Sequence, residues 1–173
     1  MKSLHPFLTG PLLGALILPA NVPAAEATRP PTLPAFPGAE GFGKWAKGGR
    51  GGAVYHVTHL GDDGPGSLRH GIEGEGPRTI VFEVSGTIAL ESTLRISNPR
   101  LTVAGQTAPG AGICLRDDSL VIETDDVVIR YLRCRLGDQG DPGDAISISR
   151  GRNIIVDHCS ASWSTDEVLS AST

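Results

Sequence analysis

Two stretches carry carboxylates at a spacing that could hold a cation. "GDQGDPGDAISIS" contains Asp138, Asp141 and Asp144, and "SASWSTDEVLSAST" contains the adjacent Asp166 and Glu167. Asp144 and Asp166 are 22 residues apart. If that interval is one turn of a coiled chain, their carboxylates are neighbours on adjacent rungs, and Glu167 or Asp157 could complete the cluster. Like charges about 5 Å apart repel, so one acid must hold a proton or a cation must sit between them. Oxygen-only donors with flexible geometry suit Ca²⁺ better than a transition metal. The same acids could equally be turn residues in solvent. Asp138 and Asp141 take that second reading, because their spacing fits neither an EF-hand loop nor the glycine-rich calcium nonapeptide.

Other reactive groups form no such constellation. His56 and His59 flank the strand-like "VYHVTHL", and His158 follows Asp157. No nucleophile has both a base and an orienting group at a recognisable spacing, so a triad is not expected. His158 reads as a structural histidine. "GAEGFGKW", Gly38 to Trp45, approaches the phosphate-binding loop pattern, but Trp45 stands where a Ser or Thr would hold magnesium, and a Pro-rich segment precedes it. These glycines are expected to make tight turns.

The elements that must position the acids are short. From Thr79 onward the sequence alternates apolar, β-branched runs with turns: "TIVFEVSG", "STLRIS", "RLTVAG", "DVVIRYLRC", "DAISIS" and "NIIVDHCS". Short strands with regular turn signals indicate an all-β fold. Superposing Val103, Ile129 and Val156 gives steps of 26 and 27 residues, and a step of 22 back from Val103 reaches Val81. Each run follows a second short strand across a polar turn: Ser97-Asn98-Pro99, Thr124-Asp125, or Arg150 to Asn153. A repeating unit of two or three strands is one coil of a parallel β-helix, with successive coils stacked about 4.8 Å apart. A β-sandwich would favour strict alternation and two-residue hairpin turns, which are scarce here. Earlier in the chain, Ser67 is a plausible N-cap for a short helix with Leu68 and Ile72 on one face.

Residues 1–24 read as a secretory signal peptide: a basic start at Lys2, an apolar run from Phe7 to Ala20, and the small-residue site Val22-Pro23-Ala24. Residues 25–37 form a Pro-rich lead-in, leaving 38–173 as one domain. The expected mature protein is exported and membrane-free, with 173 − 24 = 149 residues. Losing Lys2 shifts the formal net charge from −4 to −5. That acidity argues against a nucleic-acid partner. It also suits a polyanionic substrate poorly unless a cation is supplied locally. Cys114, Cys134 and Cys159 lie in or beside apolar runs and read as free, buried thiols.

Six segments in order — "AFPGAEGFG", "GGRGGAVYHVTHLGDDGPGSLRHGI", "GQTAPG", "VVIRYLRCRLGD", "DAISIS" and "DHCSASWSTDE" — resemble the pectate lyases of polysaccharide lyase family 1. The likeness is to the branch that includes fungal pectate lyase C and its bacterial relatives, and it runs from about Ala35 to the end. It implies a right-handed parallel β-helix, secretion as a monomer, and Ca²⁺-dependent cleavage of polygalacturonate (pectin) by β-elimination. A bridging Ca²⁺ would reconcile an acidic protein with an acidic polysaccharide. By family motif, Asp144 and Asp166 match calcium-ligand positions and Glu167 is a looser match. Asp157 and His158 match positions of a supporting kind.

The sequence also departs from the family. Family members carry further coils that supply the catalytic arginine, whereas Arg130, Arg133 and Arg135 precede the calcium strand and do not sit in that motif. No catalytic residue is therefore assigned within the chain, and the base arginine is expected beyond Thr173. The expectation is the N-terminal part of such an enzyme, truncated and incomplete at its C-terminal end, with little turnover of its own. Two other classes stay open: a non-catalytic β-solenoid that binds acidic polysaccharide, and a hydrolase with a carboxylate pair on the same fold.

Overall fold

The computed structural model describes residues 33–140 and 142–172. The expected signal peptide, most of the Pro-rich lead-in, Asp141 and Thr173 lie outside the described residues. The expectation of a base arginine beyond Thr173 falls outside them too. The strands are β1 (Ala53–Val57), β2 (Arg78–Phe82), β3 (Gly86–Ala89), β4 (Leu94–Ile96), β5 (Leu101–Ala104), β6 (Ile113–Arg116), β7 (Leu120–Ile122), β8 (Val127–Arg130), β9 (Leu132–Arg135), β10 (Ile146–Ile148), β11 (Ile154–Asp157), β12 (Ser160–Ser162) and β13 (Leu169–Ala171). They form three sheets. The first has the order β1-β2-β5-β8-β11, the second β3-β6-β9-β12, and the third β4-β7-β10-β13. Every pair is parallel. From β2 onward each run of three strands visits the sheets in turn, which is a parallel β-helix.

Inward positions stack into apolar ladders. In the first sheet Ile80, Val103, Ile129 and Val156 are in register. The step from Val103 back to the previous coil therefore reaches Ile80 and not Val81, a correction of one residue. Ile80 is fully buried, whereas Val81 pairs with His56 and is half-buried. A one-residue slip moves a side chain to the opposite sheet face. β2 concealed its register because Thr79 and Val81, on its outer face, are β-branched like Ile80 inside. In the third sheet Leu94, Leu120 and Ile146 form one ladder and Ile96, Ile122 and Ile148 another. Removing each large aliphatic side chain from water contributes about 1.5–3 kcal/mol. In the last coil, β11 to β13, burial is lower than in the coils before it.

Corners repeat as regularly as strands. The polar turns between the third and first sheets end on Arg100, Asp126 and Asn153, at φ of 62°, 59° and 55°. "DVVIRYLRC" is two strands, not one: Tyr131 at φ 57° separates β8 from β9. His158, at φ 51°, does the same one coil later, and the two rings stack 4.7 Å apart.

The predicted helix is present as α1 (Leu68–Glu73), with the Ser67 hydroxyl accepting from the His70 N–H and with Leu68 and Ile72 buried. The near-phosphate-loop segment forms a 3₁₀ turn, Phe42–Trp45. A Cβ on Gly43 would lie 1.9 Å from the Ile154 carbonyl oxygen, so glycine there permits close packing on β11. The three cysteines are free, as expected, with only Cys134 fully buried. Burial pushes the Cys134 thiol well above the ordinary cysteine range.

Arg78 was not distinguished by its sequence context. It is 4% exposed and has no carboxylate partner among the described residues. Its guanidinium donates to the carbonyls of Gly71, Ile72, Gly76, Asn98 and Pro99. These are the end of α1, the loop after it and the turn leading to β5. One buried cation thus satisfies acceptors from three segments.

Candidate cation site beside the third sheet

Asp144 lies two residues before β10. The Ser119 hydroxyl, one coil earlier, donates to its carbonyl oxygen at 2.6 Å. Its carboxylate accepts the Glu167 N–H at 3.1 Å and the Ser170 hydroxyl. On the next coil, Ser164 and Thr165 accept the Ala145 and Gly143 N–H groups at 3.2 and 3.0 Å. The Asp166 N–H reaches the Gly143 carbonyl at 3.4 Å. Small hydroxyl residues therefore pin the acidic turn to the coil below where strand pairing has not yet begun. That explains the polar texture of "SASWSTDE", and Ser164, Thr165 and Ser170 are the supporting residues that sequence reasoning missed.

Asp144, Asp166 and Glu167 each present a carboxylate oxygen, and these oxygens lie within 4.8 Å of one another. Asp144 is half-buried and the other two are exposed. The vertical pairing differs from the simple 22-residue step. Ile146 is in register with Leu169, so continuing that register two residues back sets Glu167 over Asp144 and Asp166 over Gly143. Asp118 occupies the equivalent position one coil below Asp144, in the register of Leu120 with Ile146. It is engaged by the Thr93 hydroxyl and the Ser119 N–H.

The charges are mutually unfavourable. The Asp166 charge, and then the hydrogen bond and charge of Asp144, push the Glu167 carboxyl above the ordinary glutamate range. No Lys or Arg forms an ion pair with any of the three among the described residues. The donor set is oxygen-only, anionic and open to solvent, which fits a hard divalent cation of the calcium type. Asp144 and Asp166 line a polar groove of about 380 Å³ that runs along the third sheet past Ser147 and Ser119 to Arg95.

Asp157 and His158 belong to a different corner and do not join this cluster. Asp157 ends β11 in the first sheet, accepts from Arg130 Nε at 2.6 Å and lies 2.8 Å from His158 Nδ1. Arg130 in turn lies over the Phe36 ring at 3.7 Å. Partial burial raises the Asp157 pKa, but hydrogen bonds from His158 and Arg130 and their charges outweigh it, holding the carboxyl below its ordinary range. A depressed native pKa adds stability that is present above the ordinary value of 3.8 and is lost as pH falls through the lower, native value. Asp157→Asn is therefore expected to flatten the acid limb of a thermal-unfolding profile, by about 1 kcal/mol or less between pH 6 and pH 3. An unchanged acid limb would show that the corner does not couple to folding. Asp138 is exposed and, among the described residues, bonds only the neighbouring Gln139 side chain, consistent with a solvated turn.

Fold and site together define a parallel β-helix with a lateral acidic groove at the start of one sheet. Solved and curated proteins give that class a narrower identity. The chain is homologous to proteins named probable pectate lyase C: 48% identical over 155 residues to that of Emericella nidulans, and 44% over 165 residues to that of Aspergillus fumigatus. It is 33% identical over 156 residues to probable pectate lyase 18 of Solanum lycopersicum. These matches cover 88%, 94% and 76% of this chain, but only 36%, 37% and 37% of the relatives. The chain thus spans little more than a third of their length. The crystal structure of jun a 1, the major allergen from cedar pollen, superposes with a TM-score of 0.66 at 27% identity, covering 77% of this chain and 44% of the allergen. No protein-family model matches the chain.

Proposed function

We propose that the chain is the calcium-binding, N-terminal part of a secreted pectate lyase that cleaves polygalacturonate by β-elimination. The observation that carries this reading is the convergence of Asp144, Asp166 and Glu167 carboxylates within 4.8 Å of one another, beside a groove that Asp144 and Asp166 line, in a chain homologous to proteins named probable pectate lyase C. Asp144, Asp166 and Glu167 would hold Ca²⁺. A bound Ca²⁺ would supply Lewis acidity that makes the proton α to a substrate carboxylate easier to remove. Ser119 and Ser170 orient Asp144, and Ser164 and Thr165 hold the turn that carries the other two acids. The polar groove along the third sheet gives an extended sugar chain a bed beside the acids.

No arginine of these residues is assigned as the proton acceptor. Arg130 is tied to Asp157 in the first sheet, and Arg133 and Arg135 face outward from the second. Supplying the 173-residue chain with Ca²⁺ and polygalacturonate tests the reading. The expected result is Ca²⁺-dependent polysaccharide binding with little or no ultraviolet-absorbing unsaturated product. Robust Ca²⁺-dependent turnover would overturn the missing-base assignment. Reducing ends without unsaturation would make the protein a hydrolase, and an absence of Ca²⁺-dependent binding would remove the lyase reading altogether.

A further inference from the structure

The second sheet carries a feature that the acidic groove does not use. Its inward positions are Ile88, Leu115, Cys134 and Ala161, so its outward positions are the alternate residues. On that outer face Cys114 is in register with Arg133, and Arg116 with Arg135. Thr87 and Ala89 stand on one side of this group and Ser160 and Ser162 on the other. No acid occupies any of these outward strand positions. Parallel rungs place Arg116 and Arg135 about 4.8 Å apart at the backbone, and Arg133 and Arg135 project from the same face two residues apart.

Three guanidiniums at that spacing repel unless anions lie among them. Arg116 has one, Asp117, at 2.7 Å. Arg133 and Arg135 have no carboxylate within 4.0 Å among the described residues. Arg135 donates instead to the Ser160 hydroxyl and carbonyl at 2.8 and 2.9 Å and to the Cys134 carbonyl at 3.0 Å, and Arg133 to the Gly112 carbonyl at 3.5 Å. Their forks border a surface cavity of about 330 Å³. In a chain with a net charge of −4, this is a local cationic face one sheet away from the anionic groove.

We propose that the outer face of the second sheet, through Arg133 and Arg135 with Arg116, binds stretches of de-esterified polyuronate without a metal ion. The proposal rests on the substrate class assigned above, and charge complementarity selects the occupant. A guanidinium fork pairs with a carboxylate through two parallel hydrogen bonds, and a polyuronate offers one carboxylate per sugar. Such a face would keep the protein on its polymer while the acidic groove acts through Ca²⁺, since two linked sites raise the effective concentration of each for its ligand.

The test is binding of sodium polygalacturonate to the full chain in excess EDTA, followed by calorimetry or affinity electrophoresis. Binding is expected in EDTA and is expected to weaken with added salt. Arg133→Gln/Arg135→Gln should weaken it on the order of 10-fold or more, as loss of charge-assisted hydrogen bonds does. Arg133→Gln alone removes one long hydrogen bond within the protein, so it guards against loss of folding, and it should weaken binding about threefold. Highly methyl-esterified pectin, which lacks the charges, should not bind. No binding of the wild type in EDTA, equal binding by a folded Arg133→Gln variant, or equal binding of esterified pectin would each overturn the proposal. Asp144→Asn separates the two sites: it should abolish the increment gained by replacing EDTA with Ca²⁺ and leave binding in EDTA intact. Loss of EDTA binding in that variant would place the metal-free contact in the acidic groove and also overturn the proposal.

Discussion

Asp144→Asn is expected to weaken Ca²⁺ binding on the order of 100-fold, because removing one of three anionic ligands changes both the charge count and the donor strength of the site. Asp144 should be the most sensitive of the three acids. It alone is half-buried, and it is held from both ends: Ser170 and the Glu167 N–H at its carboxylate, and Ser119 at its carbonyl. The exposed Asp166 and Glu167 can be replaced by water more readily, so their amide variants should lose less. Asparagine preserves the shape: its Oδ1 can still accept the Glu167 N–H, and its Nδ2 can donate to the Ser170 hydroxyl oxygen, so the fold should survive and the loss can be read as a metal effect. Calorimetric titration of Ca²⁺ into each variant checks the order. Equal affinity for wild type and Asp144→Asn would remove Asp144 from the site.

The second large effect is on stability. Arg78→Met is expected to destabilise the protein by about 3 kcal/mol, since it strips charge-assisted donors from buried carbonyls while keeping most of the aliphatic volume. Five carbonyls from three segments lose this donor at once, two of them at the end of α1. Arg78→Lys should recover only part of the loss, because a single ammonium cannot reach acceptors spread across the guanidinium plane. Urea unfolding followed by circular dichroism measures both. A change below about 1 kcal/mol for Arg78→Met would mean that water replaces the guanidinium there.

What could be read in advance follows from where the physics is local. The coils were legible because their strands are β-branched runs punctuated by polar turns, and Val103, Ile129 and Val156 do stack as their spacing implies. The helix at Ser67 was legible because an N-cap is a contact within one turn. The slip at Val81 arose where both faces of β2 carry β-branched residues, leaving no pattern to select the register. Arg78 was invisible for the opposite reason: its partners are backbone carbonyls, which every residue type supplies. At the acidic site, the spacing brought the correct coils together. Which acid lies over Asp144 depended on one residue of register, and β10 with β13 sets Glu167 there. The hydroxyls that brace the turn could not be singled out among the serines and threonines of that stretch.

The most direct measurement is a crystal of the 173-residue chain soaked in Ca²⁺ and examined for anomalous scattering. One peak is expected among the Asp144, Asp166 and Glu167 carboxylates, with oxygen distances of about 2.3–2.6 Å. A crystal saturated with Ca²⁺ that shows no peak there, or a peak only at another group of acids, would contradict the calcium site on which the lyase reading depends.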